Sequence, residues 1–419
     1  MPRKASPALR IVGREPTTIL LDEIGANATE RNRTQSTLAN KPEYRVPSMA
    51  EISAIKPNGF TVASLFSGCG GSSLGYRMAG FTVLWANEFV PAAQETYRAN
   101  KSAATILDGR DVRTVEPADI LAATGIEPGE LDILDGSPPC ASFSTAGKRQ
   151  DGWGKVKSYS DTSQRSDDLF FEFSRILRGL QPRTFVAENV SGLVKGTAKG
   201  YFLAILAELK AAGYRVEAKL LDAQWLGVPQ ARKRLIFVGV RNDLGIAPAH
   251  PKPFRYRYSI RDALPWIRSV RTSGEHRPAD LPAPTVLTHG RPHTTSEFVV
   301  ERETDISRYA IGEEWAKLRP GEQSERYFSL VRPDPNGPSP TITFGHGSLS
   351  GAGVVHPTEQ RRFSIAELRR ICGFPDDFIL TGTYSQQWER LGRAVPPVMM
   401  AQIAASVRDD VLRKADRSG

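Results

Sequence analysis

Cysteine is scarce in this chain: 3 occur among 419 residues, and Cys69, Cys140 and Cys372 lie far apart with no CxxC pair. That excludes a disulfide framework and a cysteine-based zinc site, and no metal is expected. Low cysteine use predicts a reducing compartment. Long apolar runs are also missing. Nothing approaches the ~18 residues of a membrane span, and no apolar stretch after Met1-Pro2-Arg3-Lys4 predicts a signal peptide. Tandem repeats of the solenoid kind are absent. Acidic residues are outnumbered, with 55 Lys+Arg against 46 Asp+Glu and a formal charge of +9. That balance favours a polyanionic partner without proving one. What remains is the composition of a soluble globular protein, 40% hydrophobic and 24% charged, long enough for two or three domains.

The order of apolar runs gives the architecture. Residues 1–57 are polar and lack sustained periodicity; the stretch 26–41 reads as a flexible arm or irregular cap. From Phe60 the pattern changes. Strands are predicted at 61–66, 81–85, 131–134, 183–188, 215–221 and 234–240. Between them lie helices at 91–100, 168–180 and 201–212, the last ending at Gly213. Alternating strands and helices imply an α/β fold, a parallel sheet with helices on both faces. After Asn242 the period is lost: residues 246–345 are rich in Pro, Arg, Thr, Gly and His and read as a separate loop-rich domain. Helical signal returns at 364–372 and from Gln386 onward. The expected division is a polar extension (1–57), a cofactor-binding catalytic domain (58–245), a recognition domain (246–345) and a segment returning to the catalytic domain (346–419).

Two segments carry the chemistry. Ser137-Pro138-Pro139-Cys140 follows the strand Leu131-Asp132-Ile133-Leu134, so a thiol sits at a strand's carboxyl end on a turn stiffened by two prolines. Ala187-Glu188-Asn189-Val190 follows Thr184-Phe185-Val186 and puts a carboxyl at another such end. Open α/β sheets bind ligands there, so the pair predicts a nucleophile and a proton donor facing one substrate. A third segment, Phe66-Ser67-Gly68-Cys69-Gly70-Gly71, joins the first strand to the first helix. Its glycines permit positive φ and close backbone approach to a ligand. By itself it fits nucleotide and dinucleotide sites alike, and it matches neither GxxxxGK[ST] nor GxGxxG. Glu88 closes the second strand, where an acid can bond a ribose hydroxyl, and Asp111-Val112 follows the third. Cys69 and Cys372 read as packing residues, and Trp388 and Met399-Met400 as helix core.

In order along the chain, these segments resemble the DNA cytosine-5 methyltransferases. Phe66 to Gly71, Glu88, Asp111, Pro138-Pro139-Cys140, Glu188-Asn189-Val190 and Gln230-Ala231-Arg232-Lys233-Arg234 match successive family motifs. Arg361-Arg362-Phe363 through Gly373-Phe374-Pro375-Asp376-Asp377-Phe378 and Gly392-Arg393-Ala394-Val395-Pro396-Pro397 match the last two. The match spans about residues 58–245 and 338–410. Three positions depart from the pattern. Ala141 replaces a Gln after the motif cysteine, Asp135 stands where a small residue is usual, and Arg393 replaces an Asn.

The resemblance implies a Rossmann-like fold and S-adenosylmethionine as methyl donor. It implies that Phe66, Ser67, Gly68, Gly70, Gly71, Glu88, Phe89, Asp111, Val112 and Pro138 hold that cofactor, with Glu88 on the ribose and Asp111 on the adenine amino group. It implies that the Cys140 thiolate adds to carbon 6 of cytosine and that Glu188 serves ring nitrogen 3. Arg234 would meet the exocyclic oxygen and Arg232 the covalent intermediate and nearby backbone. A free thiol titrates near ~8.5, so a neighbouring cation, Arg232 or Arg234, is expected to raise its thiolate fraction. The resemblance implies double-stranded DNA as substrate, from which the target base would have to be flipped out. Residues 141–166, with Trp153, would close over it. Arg255, Arg257, Arg271, Arg291 and His293 are candidates for reading bases or holding phosphates. A monomer in the cytoplasm of a bacterium or phage host, associated with the nucleoid, is implied, with a cognate restriction endonuclease as an optional partner. The rival readings are a relative acting on transfer RNA, a DNA-binding regulator without catalysis, and a nicotinamide-dependent oxidoreductase.

Overall fold

The structure, a computed structural model, describes residues 41–139, 157–159, 162–164, 169–194, 199–267, 304–348 and 350–418. Its centre is a seven-stranded sheet. In chain order the strands are β1 (Thr61–Leu65), β2 (Thr82–Asn87), β3 (Ile106–Asp108) and β4 (Ile133–Gly136). A small hairpin of β5 (Lys157–Tyr159) and β6 (Thr162–Gln164) lies apart, within the segment expected to close over the target. Then come β7 (Thr184–Val190), β8 (Tyr214–Asp222), β9 (Gln230–Ala231), β10 (Lys233–Arg241) and β11 (Ser339–Pro340). The sheet runs β3-β2-β1-β4-β7-β10-β8.

The pairs from β3 to β7 are parallel, whereas β10 runs antiparallel to both β7 and β8. This corrects the all-parallel expectation. No crossover helix separates β8 from β10, and a short connection without one returns the chain antiparallel to the strand it has just left. The inner strands β1, β4 and β7 are buried along most of their length, as strands covered on both faces must be. Edge strand β8 instead alternates buried and open positions.

Each face is covered by a different part of the chain. On one side the Leu169–Leu180 helix turns Leu169, Phe170, Phe173, Ile176, Leu177 and Leu180 inward, against Phe185 and Phe237. Each such buried side chain contributes about 1.5–3 kcal/mol. On the other side lie the Gly71–Met78 helix and the carboxyl-terminal Pro397–Val407 helix, over Val62, Val83, Ile133, Val186, Ile236 and Val238. These two helices touch closely: a methyl group on Gly71 would overlap the carbonyl oxygen of Val395, and one on Gly75 would fall inside the Met400 side chain. The stretch from Ala394 to Met400 is therefore seated on the glycine turn and its helix.

A third apolar cluster joins Ile52, Cys69, Leu74, Ile260, Leu264, Ile342, Phe363, Ile371, Cys372, Trp388 and Leu391. Residues from 41 onward, assigned by sequence to the polar extension, dock here. Lys41 pairs with Asp262 at 2.8 Å, the Tyr44 hydroxyl donates to the Arg370 carbonyl at 2.7 Å, and Ile52 is buried.

Candidate active site

The carboxyl ends of β1, β2, β4 and β7 open into one cleft of about 730 Å³, within the ~300–1,000 Å³ usual for small-molecule sites. Its walls include Phe66, Ser67, Gly68 and Gly71 from the glycine turn, Glu88 and Phe89 after β2, and Asp111 and Val112 after β3. Pro138 and Pro139 after β4, Glu188 and Asn189 of β7, and Arg232 and Arg234 face them. The catalytic and cofactor-binding residues expected from sequence are thus gathered in one place, with Gly70 and Cys140 as exceptions, whereas Arg255 and Arg257 do not line the cleft. Gly70 does not line the cleft but caps the following helix, at φ 95°, against the Tyr97 ring. Cys140, together with Trp153, Arg271, Arg291 and His293, lies outside the described residues. Pro139, its neighbour in sequence, is on the cleft wall.

The turn is built under strain. Phe66 holds φ 55° and Gly68 φ 56°, a conformation that a side-chain-bearing residue such as Phe66 adopts at a cost of about 1–3 kcal/mol. Glu88 braces it: one carboxylate oxygen accepts from the Gly68 amide and the other from the Val90 amide, both at 2.7 Å. Burial raises the Glu88 carboxyl above its ordinary value, opposed by those amides and by Arg390 and Arg393. Asp111 accepts from the Arg113 amide at 3.0 Å and pairs with the Arg113 guanidinium at 3.1 Å.

On the opposite wall, the Arg234 Nε donates to Glu188 Oε1 at 2.6 Å, with both side chains largely shielded. Burial lowers the Arg234 pKa and Glu188 opposes the shift. Asn189 donates from Nδ2 to the Pro138 carbonyl at 3.3 Å and so ties β7 to the Pro-Pro turn. Arg232 has a different task. It is fully buried, and its guanidinium donates to the carbonyls of Ile342 at 3.1 Å and Gly392 at 3.0 Å. Burial pushes its pKa down to about 9, with Arg234 adding to the fall. Arg232 therefore fastens two distant segments to the catalytic wall. Gln230 helps, accepting from the Ile342 amide at 3.2 Å, while β11 pairs with β9 alongside.

The other two cysteines are packing residues, as expected. Burial pushes the Cys69 thiol up to about 12 and that of Cys372 up to about 11, so neither is a ready nucleophile.

Asp135, one of the departures, is buried in β4 beneath the turn. Ser64 Oγ donates to it at 2.8 Å and the Tyr76 hydroxyl at 3.2 Å. Burial pushes its carboxyl up to about 7 against those two bonds, with Glu188 adding to the rise. An unfolded aspartate titrates near ~3.9, so proton uptake favours the folded chain between these values. That stability is complete below about pH 4 and is lost as pH rises through the folded value. Asp135→Asn is expected to flatten the melting temperature between about pH 4 and 7, the window bounded by the unfolded and folded values. A fall as steep as in the unmutated protein would assign the slope to another group.

Sequence reasoning missed several cleft residues: Thr341, Thr343, Phe344, Glu389 and Arg390. They come from segments far along the chain and carry no strand-end signal. Their nearness to the glycine turn is set by Arg232 and by the Gly71 contact with Val395.

A Rossmann-like sheet with a strained glycine turn, an acid closing β2, and Pro-Pro and Glu-Asn segments facing them defines a methyltransferase of the α/β class. The chain belongs to the C-5 cytosine-specific DNA methylase family, whose model matches residues 60–409. It is similar to the type II methyltransferase M1.HphI of Haemophilus parahaemolyticus, 31% identical over 83% of this chain and 86% of that protein. It is also similar to M.NgoPII of Neisseria gonorrhoeae, 28% identical over 85% and 97%. Among solved structures, a putative DNA modification methyltransferase encoded within an Escherichia coli prophage shares the fold, with a TM-score of 0.62, 22% identity, and coverage of 84% and 99%. The activity is transfer of a methyl group to carbon 5 of cytosine in DNA, by the family route of a transient cysteine adduct on a flipped-out base. The family draws its methyl group from S-adenosylmethionine.

Proposed function

We propose that the cleft holds S-adenosylmethionine and the extruded cytosine together, with Cys140 as nucleophile, and that the described walls divide the work between them. The observation that carries this reading is the convergence of Glu88, Pro139, Glu188 and Arg234 on one cleft at the carboxyl ends of the sheet. The residues fit the cofactor. Glu88 is buried and fixed by two amides, yet each carboxylate oxygen keeps a lone pair for a ribose hydroxyl. Phe66, Phe89, Val112 and Pro138 offer apolar walls, and Asp111 an acceptor for an amino group. When bound, the cofactor supplies an electrophilic methyl on a sulfonium.

The protein must make carbon 5 nucleophilic. Addition of the Cys140 thiolate to carbon 6 forms a carbon–sulfur bond and moves the ring electrons toward carbon 5 and nitrogen 3. Glu188 bonds or protonates nitrogen 3 and takes up that charge. Arg234, held at 2.6 Å by Glu188, is aimed at the neighbouring exocyclic oxygen. After methyl transfer, water removes the carbon 5 proton. The carbon–sulfur bond then breaks and the thiolate returns.

Residues 246–345 are the proposed recognition domain, with 58–245 and 346–419 as the catalytic body. Arg255 is exposed, and Arg257 lies over the Trp225 ring at 4.9 Å. Among the described residues no helix is long and apolar enough to cross a membrane. A monomer in a bacterial cytoplasm, acting on duplex DNA with or without a cognate endonuclease, completes the reading.

A duplex carrying 5-fluorocytosine tests it, because fluorine cannot leave as a proton does and the adduct is trapped. A covalent complex that survives denaturant, formed with duplex DNA and not with transfer RNA, is the expected result. Trapping on transfer RNA alone would favour the RNA-acting rival, and no adduct on either would end the covalent reading.

A further inference from the structure

Residues 41–57 precede the stretch that matches the family, which begins at residue 60, yet they are bound on two sides. One side belongs to the proposed recognition domain. The Lys41 ammonium donates to both carboxylate oxygens of Asp262 at 2.8 Å and lies 5.7 Å from the centre of the Tyr258 ring. Tyr44 meets that same ring edge to face, with centres 4.9 Å apart. The other side is the catalytic body. The Tyr44 hydroxyl donates to the Arg370 carbonyl, and the Asp377 carboxylate accepts from the Met49 amide at 2.9 and 3.0 Å. Ile52 is buried in one cluster with Leu74, Ile371 and Phe378.

The docking place is a neck. Residues 258–264 lie on the outgoing pass of the 246–345 segment and residues 335–337 on its return. The two passes are tied together. The Ile260 amide donates to the Gly337 carbonyl and the Arg261 amide to the Pro335 carbonyl, both at 2.9 Å. Arg261 Nε adds a bond to Asn336 Oδ1 at 3.1 Å. The body grips this neck as well, since the Arg370 guanidinium donates to the Ala263 carbonyl at 3.1 Å and lies 5.0 Å from the centre of the Trp266 ring. Lys41 and Tyr44 thus complete a joint of three pieces: the neck, the Ile365–Ile371 helix and the segment before the first strand. About a quarter of each side chain in the Lys41–Asp262 pair is exposed, so the pair is screened less than one on open surface.

A duplex held by the recognition domain must deliver its target base to a cleft in the body. The two parts therefore have to keep one relative placement, and an error of about 1 Å can cost ~100-fold in rate. We propose that Lys41 and Tyr44 are positioning residues, which with Met49 and Ile52 form a strap that fixes the recognition domain against the catalytic body. The inference rests on the reading of residues 246–345 as the recognition domain.

The full chain carrying Lys41→Ala with Tyr44→Ala tests it. The kcat/KM for duplex DNA is expected to fall about 10-fold, from misplacement of the base. S-adenosylhomocysteine affinity should change by less than about 2-fold, because no strap residue lines the cleft, and that titration also reports that the variant is folded. The Ile260 and Arg261 amides should exchange faster with deuterium once the neck is released. Lys41→Arg with Tyr44→Phe, which keeps the ion pair and the ring contact, should recover most of the activity. Equal losses of turnover and of S-adenosylhomocysteine affinity would overturn the positioning role and leave the segment as general packing. Exchange on the unmutated protein separates the strap from the reading beneath it, since a bound duplex should slow exchange among residues 304–345. No slowing there would remove the recognition domain and the strap's role with it. Slowing there, with turnover unchanged in the double variant, would overturn the strap alone.

Discussion

Cys140→Ala abolishes methyl transfer to duplex DNA while S-adenosylhomocysteine binds within a few fold of its original affinity. This is the largest effect expected from any substitution in the chain. Carbon 5 of cytosine does not take up a methyl group unaided, so without the thiolate the cofactor and the base can be bound side by side and still not react. Removing the nucleophile of a covalent mechanism commonly costs about 10⁴-fold or more in turnover. Cofactor affinity is spared because the walls assigned to it are Phe66, Gly68, Glu88, Asp111 and Val112, which are held by β1, β2, β3 and the bonds from Gly68 and Val90. The measurement is tritium transfer beside calorimetric titration. Residual transfer within about tenfold of the unmutated rate would mean that the reaction does not pass through this sulfur.

Glu188→Gln lowers turnover by about 100-fold, the lower end of the range for a lost general acid. The glutamine keeps the shape and retains a carbonyl oxygen for the Arg234 Nε, which now sits 2.6 Å from the carboxylate. It cannot give up a proton to nitrogen 3. Glu188→Ala is a poorer probe, because it leaves Arg234 shielded and without its carboxylate, a loss of about 3–5 kcal/mol when a buried pair is broken. Single-turnover rates with saturating DNA isolate the step. A near-normal rate for Glu188→Gln would remove the proton-donor role, and a fall in DNA affinity alone would recast Glu188 as a positioning group for Arg234.

The site was readable in sequence where a strand end carried it. Glu188 lies near the carboxyl end of an apolar strand, Glu88 closes one, and the glycine turn sits between strand and helix, so period and position sufficed. Helix bounds such as Pro91–Asn100 were equally plain, because the proline and the apolar spacing mark the first turn. The direction of β10 was not readable. A run such as Leu235 to Val240 has the same composition whichever way it points, and only the short link from β8 decides. The carboxyl-terminal wall was hidden for another reason. Phe344, Glu389 and Arg390 reach the cleft because Arg232 donates to Ile342 and Gly392, and a pairing across more than 100 residues leaves no local period. The resemblance sets Arg232 at the covalent intermediate and nearby backbone, and its guanidinium is engaged by the backbone carbonyls of Ile342 and Gly392.

The seating of the Pro397–Val407 helix on the Gly71–Met78 helix has a consequence for synthesis. The first strand of the sheet leaves the ribosome long before the helix that covers its face. Until then Val62, Val83 and Ile133 face water or a chaperone, and contacts of such long sequence separation form slowly. A nascent chain without that helix therefore lacks part of the wall around the glycine turn, and methylating competence arrives only once the helix has been made.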